Sequence, residues 1–187
     1  VVLDPLSPYA ESIRRLRAAI DQRFRKSGRI STQPGAQNQG IVIMVTSTIP
    51  AEGKSTTALA LGRTFALSGK KTLLIDADLR KPSIHRQVGI QPEHGLIDYL
   101  RNPESSEISS SFYTRDPQSN MTLVLGAGRS NVPTDQMLSS QTFDTMLNDS
   151  RAAFDVVVID TSPLAPVVDA RYIAHHADAV VMMVRWA

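Results

Sequence analysis

The chain has 187 residues, of which 42% are hydrophobic and 20% are charged, and its formal net charge is +2 at pH 7. This length is enough for one well-buried domain but short for two. The absence of cysteine excludes disulfides and thiolate metal sites, and no apolar run approaches the ~18 residues of a membrane span. Because the sequence begins at Val1 and ends just after an apolar run, we expect a segment of a longer protein.

Residues 1–30 are predicted to form a basic helix. Ser7 and Pro8 give a helix start, and apolar side chains recur at helical spacing through residues 8–26. The segment carries seven basic and three acidic residues. Such a helix can contact nucleic acid or anionic lipid, but a solvated face or a protein interface is the more ordinary role. It lacks the aromatic pattern of a nucleic-acid binder, so we expect no nucleic-acid partner.

Residues 31–40 are predicted to be a flexible linker, because they are rich in Gly, Gln and Asn and offer little to bury. After the linker, short apolar runs alternate with helical patterns. The predicted strands are 41–46, 72–75, 121–125, 156–159 and 179–184. The predicted helices are 54–68, 96–101, 134–151 and 168–175, and residues 102–120 are expected to be irregular. Apolar strands joined by helices indicate an α/β fold, with a parallel sheet covered by helices on both faces.

The loop after the first predicted strand has the features of a phosphate-binding loop, or P-loop. Gly53, Lys54 and Ser55 follow a buried strand and open a helix, whose backbone N–H groups and dipole favour phosphate. We expect Lys54 to reach the β- and γ-phosphates of ATP, and Ser55 to ligate Mg²⁺. Residues 41–187 are therefore predicted to be a P-loop NTPase-like core. The residues expected to contact ATP or ADP are Thr48, Ile49, Pro50, Ala51, Glu52, Gly53, Lys54, Ser55 and Thr56, with Arg185 near the adenine.

Carboxylates follow the second and fourth predicted strands. Asp76 and Asp78 end one of these strands, and Asp160 ends the other. Because the carboxyl ends of parallel strands share one edge of a sheet, we expect these side chains beside the P-loop. Asp160 is expected to hold Mg²⁺, directly or through water. Asp76 and Asp78 alternate, so one is expected to face the metal and the other a hydroxyl substrate or a cation. Arg80 would offset this negative charge or contact phosphate.

Together, the three loops resemble the Walker A, Walker A′ and Walker B motifs of the bacterial tyrosine kinases. These are P-loop enzymes whose fold is unrelated to that of eukaryotic protein kinases. The A′ pattern, an apolar triplet and then Asp-x-Asp-x-Arg, is met by residues 73–80. The B pattern, an apolar triplet and then Asp-x-x-Pro, is met by residues 157–163. The A pattern is met with one departure, since Ala51 stands where the family has glycine.

The resemblance implies an ATP- and Mg²⁺-dependent autokinase in which a C-terminal tyrosine cluster of one subunit is phosphorylated by its neighbour. Asp76 would orient the tyrosine hydroxyl or remove its proton. No such cluster is present here, because the four tyrosines are scattered. The catalytic residues predicted in this way are Lys54, Asp76, Asp78 and Arg80, and the predicted metal ligands are Ser55, Asp78 and Asp160.

The resemblance also extends to the first helix and to partners. The family carries Glu-x-x-Arg-x-x-Arg there, which Glu11, Arg14 and Arg17 match along one helix face. This match implies a homo-oligomer, with the helix packed on a neighbouring subunit of a ring. A further implied partner is a membrane-anchored chain-length regulator of capsule or exopolysaccharide export, either separate or fused upstream. The soluble segment would then lie at the cytoplasmic face of the bacterial inner membrane.

Two other interpretations remain open. A deviant Walker A ATPase of the chromosome-partition or septum-placement kind carries a lysine five residues before the P-loop lysine, where this chain has Ile49. A non-catalytic, nucleotide-gated assembly domain is compatible with Ala51 and with the missing tyrosine cluster. Transfer of phosphate from ATP to tyrosine is the property that separates a kinase from both.

Overall fold

The computed structural model describes residues 4–26, 39–126 and 132–185. Within these ranges the chain forms one six-stranded sheet and eight α-helices. The strands are β1 (Ile41–Ser47), β2 (Thr72–Asp76), β3 (Thr114–Arg115), β4 (Thr122–Val124), β5 (Val156–Asp160) and β6 (Ala179–Met183). The helices are α1 (Pro8–Lys26), α2 (Lys54–Leu67), α3 (Ile84–Val88), α4 (Leu96–Arg101), α5 (Ser106–Ser111), α6 (Thr134–Leu138), α7 (Gln141–Ala153) and α8 (Asp169–Ala174).

The sheet order brings three strand ends together. The strands lie in the order β3-β4-β2-β5-β1-β6, and all neighbours are parallel except β3 and β4, which are antiparallel. In this register Asp76 of β2 lies opposite Asp160 of β5, and Asp160 lies opposite Val45 of β1. The loops after β1, β2 and β5 therefore leave the sheet side by side, at the edge where parallel α/β sheets bind ligands.

Alternate residues of the central strands face two separate helical layers. In β1, Val42 and Met44 belong to a buried cluster formed with α4, α6, α7 and α8. Ile41, Ile43 and Val45 belong to a second cluster, which is formed with α1, α2 and α3. Burial on both faces explains why these strands are continuous apolar runs rather than alternating patterns. The predicted α/β sheet with helices on both faces is confirmed.

The first helix is part of this core. α1 spans the predicted residues 8–26, and its apolar stripe of Ile13, Ile20 and Phe24 is buried against α2 and the first strand. Most of the predicted linker lies outside the described residues, but Gly40 is buried, and its N–H donates to the Arg151 carbonyl at 2.9 Å. Among the described helices, none combines the length and the apolar character that crossing a bilayer requires.

The prediction that residues 102–120 are irregular was wrong. This segment contains α5, whose first turn is capped where the Ser105 hydroxyl accepts a hydrogen bond from the Ile108 N–H. Ile108 and Phe112 are buried, and the Phe112 ring stacks on Tyr99 with the ring centroids 4.3 Å apart. The strand β3 that follows adds the antiparallel edge. Two apolar anchors within a polar stretch were too sparse to form a helical period.

An ion pair ties α2 to the residue that follows β3, at the edge of the sheet. The Arg63 guanidinium donates two hydrogen bonds to the Asp116 carboxylate, at 2.7 and 3.0 Å. The Asp116 side chain has no exposed surface, and that of Arg63 is 12% exposed. Because α2 begins at the P-loop, this pair helps to hold the P-loop helix in place.

We expect Arg63→Met to lower the free energy of unfolding by about 3 kcal/mol, because it leaves the buried Asp116 carboxylate without its cationic partner and with the Ser119 hydroxyl as its side-chain donor. Urea unfolding followed by circular dichroism measures this loss. The matched control is Arg15→Met, since the Arg15 side chain is 80% exposed and pairs with Glu11 only at 3.4 Å. We expect that control to cost less than about 0.5 kcal/mol. Equal losses in the two variants would contradict the prediction.

Candidate active site

The loop between β1 and α2 turns through two left-handed residues. Gly53 precedes α2 with a φ of +83°, and Ala51 has a φ of +66°. A left-handed conformation costs an L-residue about 1–2 kcal/mol, whereas glycine adopts it freely. The left-handed backbone at this position explains why the kinase pattern has glycine where this chain has Ala51. The loop is therefore strained at Ala51.

Glu52 connects this loop to the last strand. Its carboxylate accepts hydrogen bonds from the backbone N–H of Arg185 at 2.9 Å and of Ile49 at 3.0 Å. These two bonds lower the pKa of Glu52 below its usual value. Arg185, predicted from sequence to lie near the adenine, thus reaches the P-loop through its backbone.

Lys54 is held by a carboxylate of the A′ loop. Its Nζ donates to Asp78 Oδ2 at 2.8 Å and to Ser55 Oγ at 3.4 Å. Burial by itself would lower the pKa of Lys54, but the negative charges of Asp160, Asp78 and Asp76 outweigh burial and raise it. The lysine is therefore charged, and a bound phosphate has to compete with Asp78 for it.

Asp160 is a buried carboxylate with no hydrogen-bond partner for either oxygen among the described residues. Burial raises its pKa, whereas the nearby Lys54 charge and the Ser55 hydroxyl lower it. An unpartnered carboxylate beside a serine hydroxyl provides the hard oxygen ligands that Mg²⁺ prefers. The residues therefore fit a magnesium ion. Since Asp160 is fully buried, this arrangement favours contact through metal-bound water.

The two carboxylate oxygens of Asp76 have different surroundings. Oδ2 accepts hydrogen bonds from the backbone N–H groups of Ser83 and Ile84, both at 3.0 Å, and so begins α3, which the sequence did not predict. Oδ1 has no partner in the part of the chain that the structure describes. Burial and the charge of Asp160 raise the pKa of Asp76. Asp76 and Asp78 therefore have different hydrogen-bond partners.

Arg80 pairs with a residue that the sequence analysis did not identify. Its guanidinium donates to both carboxylate oxygens of Asp169 in α8, at 3.0 and 3.1 Å. The Thr134 hydroxyl also donates to Asp169, at 2.7 Å. Asp169 has no exposed surface, whereas 46% of the Arg80 side chain is exposed. Arg80 thus anchors the A′ loop to α8 while part of it faces the site.

A cavity of about 500 Å³ opens above these loops. Eight of the predicted site residues line it, namely Pro50, Ala51, Gly53, Lys54, Ser55, Thr56, Asp78 and Arg80. The lining also includes Pro163 of the B pattern and residues that were not predicted for the site, namely Lys81, Ser83, Gln87, Ser162, Pro166 and Val167. The predicted residues that do not line it are Thr48, Ile49, Glu52, Asp76, Asp160 and Arg185. The unpredicted residues come from α3 and from the loops after β2 and β5, at positions that the A′ and B patterns do not specify.

The predicted oligomerisation residues lie on α1, near the P-loop helix. The Tyr9 hydroxyl of α1 is 3.4 Å from the Thr56 carbonyl oxygen of α2. Glu11 and Arg14 pair with each other, with the closest nitrogen and oxygen 2.8 Å apart. The buried Nε of Arg17 has no hydrogen-bond partner among the described residues.

Known proteins resemble this chain in both sequence and structure. A family model described as an AAA domain matches residues 41–186. A putative tyrosine-protein kinase, CapB of Staphylococcus aureus, is 30% identical over 168 residues, which cover 90% of this chain and 72% of CapB. The solved kinase domain of VpsO is 32% identical, with a TM-score of 0.69 over 94% of this chain and 83% of that domain.

A longer relative is the succinoglycan biosynthesis transport protein ExoP of Rhizobium meliloti. It is 33% identical over 189 residues, and the match covers all of this chain but only 22% of ExoP. The chain thus spans about a fifth of that relative's length.

The buried carboxylates give the nucleotide-free chain a pH-dependent stability. Burial raises the pKa of Asp76 to about 8 and that of Asp160 to about 7. Between the unfolded value near 4 and these values, the folded chain holds protons that the unfolded chain has released. We therefore expect the free energy of unfolding to fall as the pH rises from 5 to 8.

Asp160→Asn removes one of these charges. We expect it to stabilise the nucleotide-free chain at pH 8 by roughly 2 kcal/mol and to flatten the pH dependence. Urea unfolding in EDTA at several pH values measures both effects. Asp149→Asn, an exposed change on α7, is the control and should leave the slope unchanged. A destabilised Asp160→Asn would show that the carboxylate is satisfied in the folded chain.

Proposed function

Because the chain belongs to the bacterial tyrosine kinases, we propose that it is a catalytic core that transfers the γ-phosphoryl group of ATP to tyrosine hydroxyls. The observation that carries the proposal is the meeting of Lys54, Asp76, Asp78 and Asp160 at one edge of the sheet. A lysine and an unpartnered carboxylate beside a P-loop supply the electrostatic parts that phosphoryl transfer requires.

In this proposal ATP occupies the 500 Å³ cavity, with its phosphates at the start of α2. Lys54 exchanges Asp78 for the β- and γ-phosphates. Ser55, Asp78 and Asp160 hold Mg²⁺, with Asp160 acting through water. When bound, the ion neutralises charge on the phosphate oxygens. Asp78, released from Lys54, becomes free to face the metal.

The acceptor hydroxyl is oriented by Asp76. The bond from the γ-phosphorus to the β-γ bridging oxygen breaks, a bond to the tyrosine oxygen forms, and ADP leaves. The hydroxyl proton passes to the free Oδ1 of Asp76 or to solvent. Because burial raises the pKa of Asp76 to about 8, this carboxyl group is mostly protonated at neutral pH and is better suited to orient the hydroxyl than to remove its proton. The single free oxygen favours orientation as the main role, because Oδ2 is committed to the α3 backbone.

The test is transfer of label from γ-³²P-ATP to a glutamate–tyrosine copolymer and to the chain itself, with Mg²⁺ present. We expect phosphotyrosine, and at least a hundredfold loss of transfer in Lys54→Met, since the phosphates lose their buried cation. The control is Lys71→Met, because Lys71 is exposed at the opposite end of β2.

Two results would overturn this proposal. Nucleotide binding without phosphotyrosine indicates the nucleotide-gated assembly domain. If free phosphate is released as fast as labelled ATP is consumed, the chain is an ATPase. In either case the nucleotide site survives and the kinase assignment fails.

We also propose that the chain works as a homo-oligomer beside a membrane-anchored chain-length regulator of polysaccharide export. ExoP is named for succinoglycan biosynthesis transport, and this chain aligns with a fifth of it, which supports a regulator fused upstream. CapB, of which the chain covers 72%, supports a separate regulator equally well. Either arrangement holds the chain at the cytoplasmic face of the inner membrane.

The oligomer depends on α1 in this proposal. We expect Arg17→Ala to shift the chain from oligomer toward monomer, because Arg17 belongs to the Glu-x-x-Arg-x-x-Arg pattern that the resemblance places at the contact between subunits. Light scattering after size-exclusion chromatography, with ADP and Mg²⁺ in the buffer, measures the mass. Arg15→Ala is the matched control on an exposed position and should leave the mass unchanged. Unmutated chain that stays monomeric at high concentration would contradict the prediction.

A further inference from the structure

We propose that Ser162 is a positioning residue for the metal, and that its hydroxyl hydrogen-bonds a water ligand of Mg²⁺ in the nucleotide cavity. This role rests on the proposed nucleotide site but not on tyrosine being the acceptor. The B pattern Asp-x-x-Pro leaves position 162 open, so no motif assigns it a role.

The first observation is an unused hydroxyl. Ser162 is 1% exposed, and its Oγ has no hydrogen-bond partner in the described ranges of the chain. Buried hydroxyls in folded proteins are nearly always paired, because an unpaired one loses its hydrogen bonds to water without replacement. Its neighbour Thr161 follows this rule, donating to the Val45 carbonyl at 3.1 Å. Ser162 is the exception, and it lines the cavity.

The second observation is that the backbone around this hydroxyl is fixed. The Ser162 carbonyl accepts a hydrogen bond from the Thr46 hydroxyl at 3.0 Å. The next turn is tied to the P-loop strand, since the Leu164 N–H donates to the Ser47 carbonyl at 2.9 Å. The Ala165 N–H donates to the Thr48 carbonyl at 3.1 Å. A rigid frame that leaves one hydroxyl free is a preformed contact for something outside the chain.

The chemistry of the neighbours identifies the ligand. Ser162 is two residues from Asp160, whose two buried oxygens are also unpartnered and which does not line the cavity. Mg²⁺ usually keeps several waters in protein sites, and each of these waters donates hydrogen bonds. A metal at Ser55 presents such waters to Asp160 and to Ser162. The phosphates would instead be bound by Lys54 and by the N–H groups that begin α2.

The experiment measures binding of the β,γ-imido analogue of ATP by calorimetry, with Mg²⁺ and with EDTA, for unmutated chain, Ser162→Ala and Ser162→Thr. We expect Ser162→Ala to weaken binding about five- to tenfold with Mg²⁺ and not at all with EDTA. Ser162→Thr keeps the hydroxyl and should restore most of the affinity. The melting temperature of nucleotide-free Ser162→Ala should equal or exceed that of the unmutated chain, because no internal hydrogen bond is lost.

Several outcomes would overturn the proposal. Equal weakening with Mg²⁺ and with EDTA places the hydroxyl on a phosphate oxygen. Unchanged affinity in both buffers shows that it contacts neither ligand. A lower melting temperature without nucleotide shows a structural hydrogen bond. Because the assay reads binding, the kinase proposal can fail on the copolymer while this result stands.

Discussion

The structure is organised around one buried lysine and the three carboxylates that surround it. Lys54 is ion-paired with Asp78, while Asp76 and Asp160 lie side by side on neighbouring strands with no exposed surface. If all four groups are ionised, two negative charges remain without compensation in a poorly solvated place. Protonation relieves part of this charge, which is why the pKa values of Asp76 and Asp160 are raised. A divalent cation relieves it as well.

The electrostatic cost of burying these charges together follows from the order of the strands, and the rest of the fold is stable enough to tolerate it. The β2-β5-β1 order forces Asp76 and Asp160 into register, whichever side chains surround them. Two apolar layers cover the faces of the sheet, and buried ion pairs fix the helices that carry the loops. The site can therefore remain electrostatically unfavourable without unfolding the chain. An active site that is destabilised when empty binds its ligand by removing that destabilisation.

Local patterns in the sequence were enough to predict much of this arrangement. Apolar runs placed the five parallel strands, and the strand-end aspartates placed the acidic loops beside the P-loop. The ion pair of Arg80 with Asp169 was not predictable in this way, because the two residues are 89 positions apart and Asp169 belongs to no local pattern. The helix α3 was missed for a similar reason, since its start is capped by a carboxylate seven residues earlier. Ala51 was recognised as a departure from glycine, but only the backbone shows that the position is left-handed.

The features that break ordinary rules of folded structure gather in the same three loops. Ala51 has a conformation that alanine avoids, and Ser162 and Asp160 hold unpartnered oxygens. Among the described residues, the buried side-chain oxygens without a partner all belong to Asp76, Asp160 and Ser162, whereas the unpartnered buried atoms elsewhere are nitrogens, that of Arg17 among them. Strain and unsatisfied polar groups persist where a ligand completes them, so their concentration here argues for a shared ligand. In the proposed function, a magnesium nucleotide would satisfy the lysine, the carboxylate and the hydroxyl together.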